Sequence, residues 1–184
     1  MQTDFQKLKR RPFFVPLLMV LAWFALVAAA AVWLLDARVT TELVFVRHAE
    51  IEPGLQANPG LNEQGKARAN GLLQLLANAR PERGVDAVYA IEGSPSQQTA
   101  APLAAKMGLA VNVVAIADWK TLLKKIRSDH VGEVVLVVAD RQNLQTLLKD
   151  ISDQDWPLDD TDYGSVFVVS ESRLSKPAIL RLRY

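Results

Sequence analysis

The chain has 184 residues, 50% of them hydrophobic, with 21 basic and 20 acidic side chains, a net charge of +1 and no cysteine. That length holds one domain of ordinary size plus something smaller. The near balance of charge gives no electrostatic case for nucleic acid, and the absence of cysteine excludes disulfides, thiolate metal sites and a cysteine nucleophile.

The smaller part comes first. Residues 13–35 read FFVPLLMVLAWFALVAAAAVWLL without one charge. As a helix this stretch would span roughly 34 Å, enough to cross the hydrocarbon of a bilayer. A cleavable signal peptide is the competing reading, since Ala28 to Ala31 offer small residues for cleavage. Its apolar core would normally be only about 7 to 15 residues, so a transmembrane anchor is expected. Lys7, Lys9, Arg10 and Arg11 precede the span, and Asp36 and Arg38 follow it. The positive-inside rule then assigns residues 1–12 to the cytoplasm and the rest of the chain to the far side. Trp33 suits the far interface, and Ala25 and Ala29 have a spacing used where two helices approach closely.

A linker at 36–41 leads to a domain at 42–184. Leu43 to Val46 reads as a buried strand that delivers Arg47 and His48 at its end. The stretch from Ile51 to Gly60, with two prolines and two glycines, is a loop, and Asn62 caps a helix predicted to run to about Ala79. Asp86 to Ile91 alternates like a strand. In SPSQ, Ser94 suits an N-cap, Pro95 the first helical position and Gln97 a capping box, and Gly108 stops the helix. Val111 to Ile116 is a further strand, after which Asp118 caps a helix with Trp119, Leu122, Leu123 and Ile126 on one face. Val134 to Val138 is the most continuous β-branched run, and Asp140 caps the helix that follows, with Leu144, Leu147, Leu148 and Ile151 inward. Val166 to Val169 and Ala178 to Leu182 close the domain as a hairpin. Alternating strands and helices with continuous apolar strands predict an α/β fold, a mainly parallel sheet with helices on both faces. Ligands bind outside the carboxyl ends of such strands, so the loops Arg47–Glu50, Ile91–Ser96 and Ala139–Arg141 are expected to converge.

Those loops carry a resemblance. VFVRHAE at 44–50, NPGLNEQGKARA at 58–69, QQTAAPLA at 97–104, EVVLVVAD at 133–140 and the closing ILRLRY resemble, in order and spacing, the motifs of the histidine phosphatase superfamily, which includes the phosphoglycerate mutases. The resemblance implies His48 as the nucleophile that accepts a phosphoryl group and Arg47 as the first phosphate-holding arginine. It also implies losses. The family's second arginine falls at Pro95, and no arginine stands between Arg83 and Arg127. Its second histidine falls at Asp140, and AIADWKTLL offers no counterpart to its acidic segment. His130, the other histidine, should lie near the opposite end of the sheet as a solvated loop residue.

Phosphoryl transfer rests on positioning and on cations around the transferring group. At roughly 4 Å and an effective dielectric of about 20, each unit-charge pair is worth about 4 kcal/mol. Exchanging a histidine for Asp140 therefore opposes a phosphate. Asp140 is expected to cap its helix, paired to Arg47 or His48; as a proton donor it would serve only an active enzyme. Arg141, next along, is the one substitute for the missing arginine, although a helix-start residue is expected to be exposed. The reading is a membrane-anchored phosphatase-like domain, catalytically inactive or weak, that binds or scaffolds. An active phosphatase on a small phosphoester or phosphohistidine, and a subunit of a membrane complex held by its helix, are the alternatives. No metal or cofactor is implied. The expected partners are the membrane through 13–35, a protein in or beside it, and a phosphate-bearing ligand. The resemblance and the basic N-terminus point to a bacterial inner membrane with the domain on the periplasmic side.

Overall fold

The computed structural model describes residues 14–36, 39–54, 57–79, 84–115, 119–172 and 175–184. The chain divides into two compact units, Met1–Arg38 and Val39–Tyr184.

The first unit is one helix, α1 (Phe14–Asp36). Its stretch Pro16–Leu35 is long and apolar enough to cross a membrane. Large apolar side chains such as Leu18, Met19, Trp23 and Phe24 are more than 60% exposed, which in water would be strongly unfavourable.

The second unit is built on six strands: β1 (Thr40–Arg47), β2 (Ala87–Ile91), β3 (Val111–Val114), β4 (Val134–Ala139), β5 (Ser165–Ser172) and β6 (Ala178–Arg183). They form one sheet in the order β3-β2-β4-β1-β5-β6. The pairs β1–β4, β2–β4 and β2–β3 are parallel, and β5 and β6 add antiparallel strands at one side. The predicted mainly parallel architecture is therefore present, with the closing hairpin as its antiparallel part. β1 begins at Thr40, two residues before the expected start of the domain.

Every residue of β4 is buried, as its unbroken apolar run requires for a strand covered on both sides. Alternate side chains feed two separate cores. Leu43, Phe45, Val135 and Val137 pack with Ile126, Leu144, Leu147 and Leu148, from α4 (Trp119–Asp129) and α5 (Arg141–Ser152). Val44, Val46, Leu136 and Val138 pack with Leu72, Leu76 and Leu103, from α2 (Glu63–Leu76) and α3 (Ser94–Met107). Helices thus cover both faces.

Several boundaries differ from the sequence expectation. α2 stops at Leu76 rather than near Ala79, because the chain tightens into a turn in which the Ala79 N–H donates to the Leu76 carbonyl at 3.2 Å. α3 begins at Ser94, so Gly93 is its N-cap and no capping box forms. The Ser94 N–H donates instead to Asn58 Oδ1 at 2.7 Å, and its hydroxyl accepts from Gln98 Nε2 at 2.6 Å. Gly108 ends α3 in the left-handed region, as predicted. β3 closes at Val114; Ile116 and the proposed Asp118 cap lie outside the described residues.

Candidate functional site

The ends of β1 and β4 are in register, with Arg47 opposite Ala139. The His48 N–H donates to the Ala139 carbonyl at 2.8 Å, which brings Asp140 beside His48. The loop Ile91–Ser96 is tied in through Thr99 of α3: its hydroxyl donates to the Pro95 carbonyl at 2.7 Å and accepts from the Ala49 N–H at 2.9 Å. The three loops therefore meet. Thr99 has no exposed surface and is a member of the site that the sequence did not single out.

His48 is half-buried, with Nδ1 2.8 Å from the Ala49 carbonyl. A carbonyl only accepts, so Nδ1 carries the proton and Nε2 the lone pair. Burial lowers the pKa of His48 below its ordinary value of 6.5; the Ala49 hydrogen bond opposes this, the Arg47 charge reinforces it, and Asp140 and Glu50 act weakly the other way.

Arg47 is 9% exposed, and its guanidinium faces the chain rather than an open pocket. The segment that joins α5 to β5 crosses over it. Nη1 donates to the backbone carbonyls of Asp160 (2.8 Å), Asp159 (3.3 Å) and Asp162 (3.5 Å). The guanidinium carbon lies 4.0 Å from the centre of the Tyr163 ring, a cation–π contact. The Tyr163 ring is in turn 6.3 Å from the His48 ring. Nε of Arg47 is buried and has no hydrogen-bond partner.

Asp140 caps α5 as expected, and both its oxygens are occupied by Asn143: Oδ1 accepts from the backbone N–H at 3.0 Å and Oδ2 from the side-chain amide. The expected pairing with Arg47 or His48 is replaced by this local one, because Asn143 stands within the same helical turn. Arg141 is half-buried rather than exposed. Its Nε is 3.0 Å from Asp160 Oδ1, and its Nη1 donates to the Leu158 carbonyl at 3.4 Å. It too serves the crossing segment. Pro95 sits in the first turn of α3, a position where a missing N–H costs nothing.

Behind the site, Arg68 of α2 grips Glu50, with Nε 2.8 Å from both carboxylate oxygens. Burial alone would push the Glu50 carboxyl up, but the Arg68 hydrogen bonds and charge hold it below its ordinary value. His130 is not a solvated loop residue. Its ring takes Tyr89 Oη at 2.9 Å and Glu133 Oε2 at 2.6 Å, so it satisfies a tyrosine whose body is in the core. Among the described residues, no three His, Cys, Asp or Glu side chains converge as metal ligands.

The sheet order and the helices on both faces match a histidine phosphatase-like α/β fold. Among solved structures, the chain is similar to mycobacterial hydrolase 1, at 14% identity and a TM-score of 0.64, over 79% of this chain and 99% of that one. It is also similar to the protein histidine phosphatase SixA complexed with tungstate (12%, 0.61, 77% and 96%). A third is a phosphoserine phosphatase from Entamoeba histolytica in complex with 3-phosphoglyceric acid (13%, 0.60, 78% and 97%). No protein-family model matches the chain, and no curated protein matches it.

Proposed function

We propose that this is a membrane-anchored histidine phosphatase-like domain that binds a partner or ligand and has lost, or nearly lost, phosphoryl transfer. The observation that carries the reading is the state of Arg47. Three backbone carbonyls and the Tyr163 ring already hold the one cation that the resemblance retains. The positions matching the second arginine and second histidine carry Pro95 and Asp140, both used as helix-start residues. Losing a few kcal/mol of charge stabilisation slows phosphoryl transfer by a factor of about 100 to 1000. The apolar helix supports attachment to a membrane, with residues 1–12 on the cytoplasmic side by the charge rule.

One observation favours the alternative, an active phosphatase on a small phosphoester or phosphohistidine. The Ala49 carbonyl fixes the tautomer that leaves the His48 Nε2 lone pair free, which is what a nucleophile needs. Asp140 would then have to leave its cap to donate a proton.

Turnover of p-nitrophenyl phosphate and of a phosphohistidine peptide separates the two. We expect the full chain in detergent to turn over no faster than His48→Ala, and Pro95→Arg/Asp140→His to gain activity. Turnover by the native chain that His48→Ala abolishes would establish the enzyme reading instead.

A further inference from the structure

The closing strand β6 is an edge of the sheet, and its pairing with β5 fixes which of its backbone groups are spent. The Tyr184 N–H donates to the Gly164 carbonyl at 3.1 Å, so by antiparallel alternation Leu182, Leu180 and Ala178 turn their N–H and carbonyl groups towards β5. Ile179, Arg181 and Arg183 turn theirs outwards, to the side where the sheet has no further strand. Leu180 and Leu182 project from one face, 58% and 42% exposed, and Leu180 is the most exposed large apolar side chain described in Val39–Tyr184. On the other face Arg181 lies over the Phe167 ring at 5.4 Å and grips Asp162, which Arg183 also approaches at 3.5 Å. The charges that could guard the edge are thus drawn to a carboxylate of the same chain. An unpaired edge that also shows leucines is a surface suited to another strand.

We infer that β6 pairs with β6 of a second copy of this chain, antiparallel and centred on Leu180. The sequence PAILRLR at 177–183 selects both the occupant and the register. Outward groups meet only where odd-numbered residues face odd-numbered ones, which leaves few two-fold registers. Centred on Arg181 or on Leu182, the pairing sets arginine directly opposite arginine, which is destabilising. Centred on Ile179, it sets Pro177, which has no N–H, against Arg181 and puts Lys176 opposite Leu182. Centred on Leu180, it brings Leu180 to its own copy, Leu182 to Ala178 and Arg181 to Ile179, and the last two exchange both N–H and carbonyl bonds. The leucines that each copy exposes alone then cover one another, and no like charges stand opposite. The two-fold axis runs normal to the sheet, so both copies present Thr40 at one height and their chains can enter one membrane together. The pairing goes beyond the ligand binding proposed above and does not depend on it.

The chain has no cysteine, so single introduced cysteines report the register. Full-length Leu180→Cys, Leu182→Cys, and an equal mixture of Ala178→Cys with Leu182→Cys are oxidised in detergent. Directly opposed side chains have Cβ atoms about 4.5–5.5 Å apart, close to disulfide reach, whereas Leu182 would lie about 14 Å along the strand from its own copy. We expect Leu180→Cys to link to itself, the mixture to give the mixed dimer, and Leu182→Cys alone to stay unlinked. In the native chain the Arg181 N–H should be protected from exchange, and Leu180→Glu, which sets two carboxylates face to face, should abolish that protection. Failure of Leu180→Cys to link would overturn the inference. So would linking of Leu182→Cys as fast as Leu180→Cys, the mark of unspecific collision or of another register. Should the cysteine variants not fold, the native amide decides: an Arg181 N–H that exchanges as freely as an unpaired one counts against the pairing. Turnover that depends on His48 defeats the reading of a silent site alone and leaves the cysteine result to judge the strand.

Discussion

His48 holds its proton on one side only. Its Nδ1–H is committed to Ala49, and its burial opposes the second proton that would make the ring a cation. The unfolded chain, free of that penalty, takes up the proton at a higher pH. Stability contributed by the neutral ring is therefore complete above pH 6.5, the ordinary value, and is lost as pH falls from there through the depressed folded-state pKa. Replacing His48 by Asn should flatten the fall of stability below pH 6.5, read by urea unfolding of the full chain across that range. An unchanged slope would mean that His48 is not the group responsible. At this scale, Arg47 and His48 were legible because a strand run ended on them, and Asp140 because Asp before a helical pattern is a cap. Tyr163 and Thr99 were not. Neither has a local pattern, and each acquires its role from a partner far along the chain, 116 residues before Tyr163 and 50 before Thr99.

Helix α2 explains part of the motif at 58–69 as packing. Asn62 caps it by accepting from the Gly65 N–H at 2.8 Å, and Arg68 reaches Glu50 from the next turn. Gly65 between them lies so close to the chain after β1 that a Cβ there would be 2.1 Å from the Glu50 carbonyl oxygen. Alanine is the better helix former by about 1 kcal/mol in an open helix. Here the backbone contact dominates, and Gly65→Ala should cost about 1–3 kcal/mol by overpacking, seen as a lower urea midpoint. A variant as stable as the native chain would show that α2 can move away from Glu50. The spacing of the glycine and the arginine was visible in the sequence, whereas their common target at Glu50 needed the fold. The start of α3 was misplaced by one residue for a related reason: Asn58, from a distant loop, supplies the cap that Ser94 was expected to provide.

For the whole molecule, the strand runs and helical periods were enough to foresee the layered sheet, since each core draws on alternate residues of the same strands. The crossing of the segment between α5 and β5 over Arg47 was not foreseeable, because that segment has no apolar period that betrays where it lies. The exposed apolar helix carries its own prediction. The full chain should sediment with membranes and resist extraction by high salt or carbonate, while removal of residues 1–36 should release a soluble domain; recovery of the full chain in the soluble fraction would contradict the anchor. Within the domain, the chain enters β1 at Thr40, and the Arg-His pair lies at the other end of that strand, about 23 Å away.

The hold on Arg47 also bears on how such a site could change over generations. Pro95 and Asp140 could each be exchanged for a cationic residue by a single substitution, but the oxygens on Nη1 belong to the main chain, and every amino acid carries one. No exchange of side chain at 159, 160 or 162 deletes them. A lineage that freed Nη1 would have to shorten or redirect the segment itself, a change of backbone path that point mutation seldom supplies.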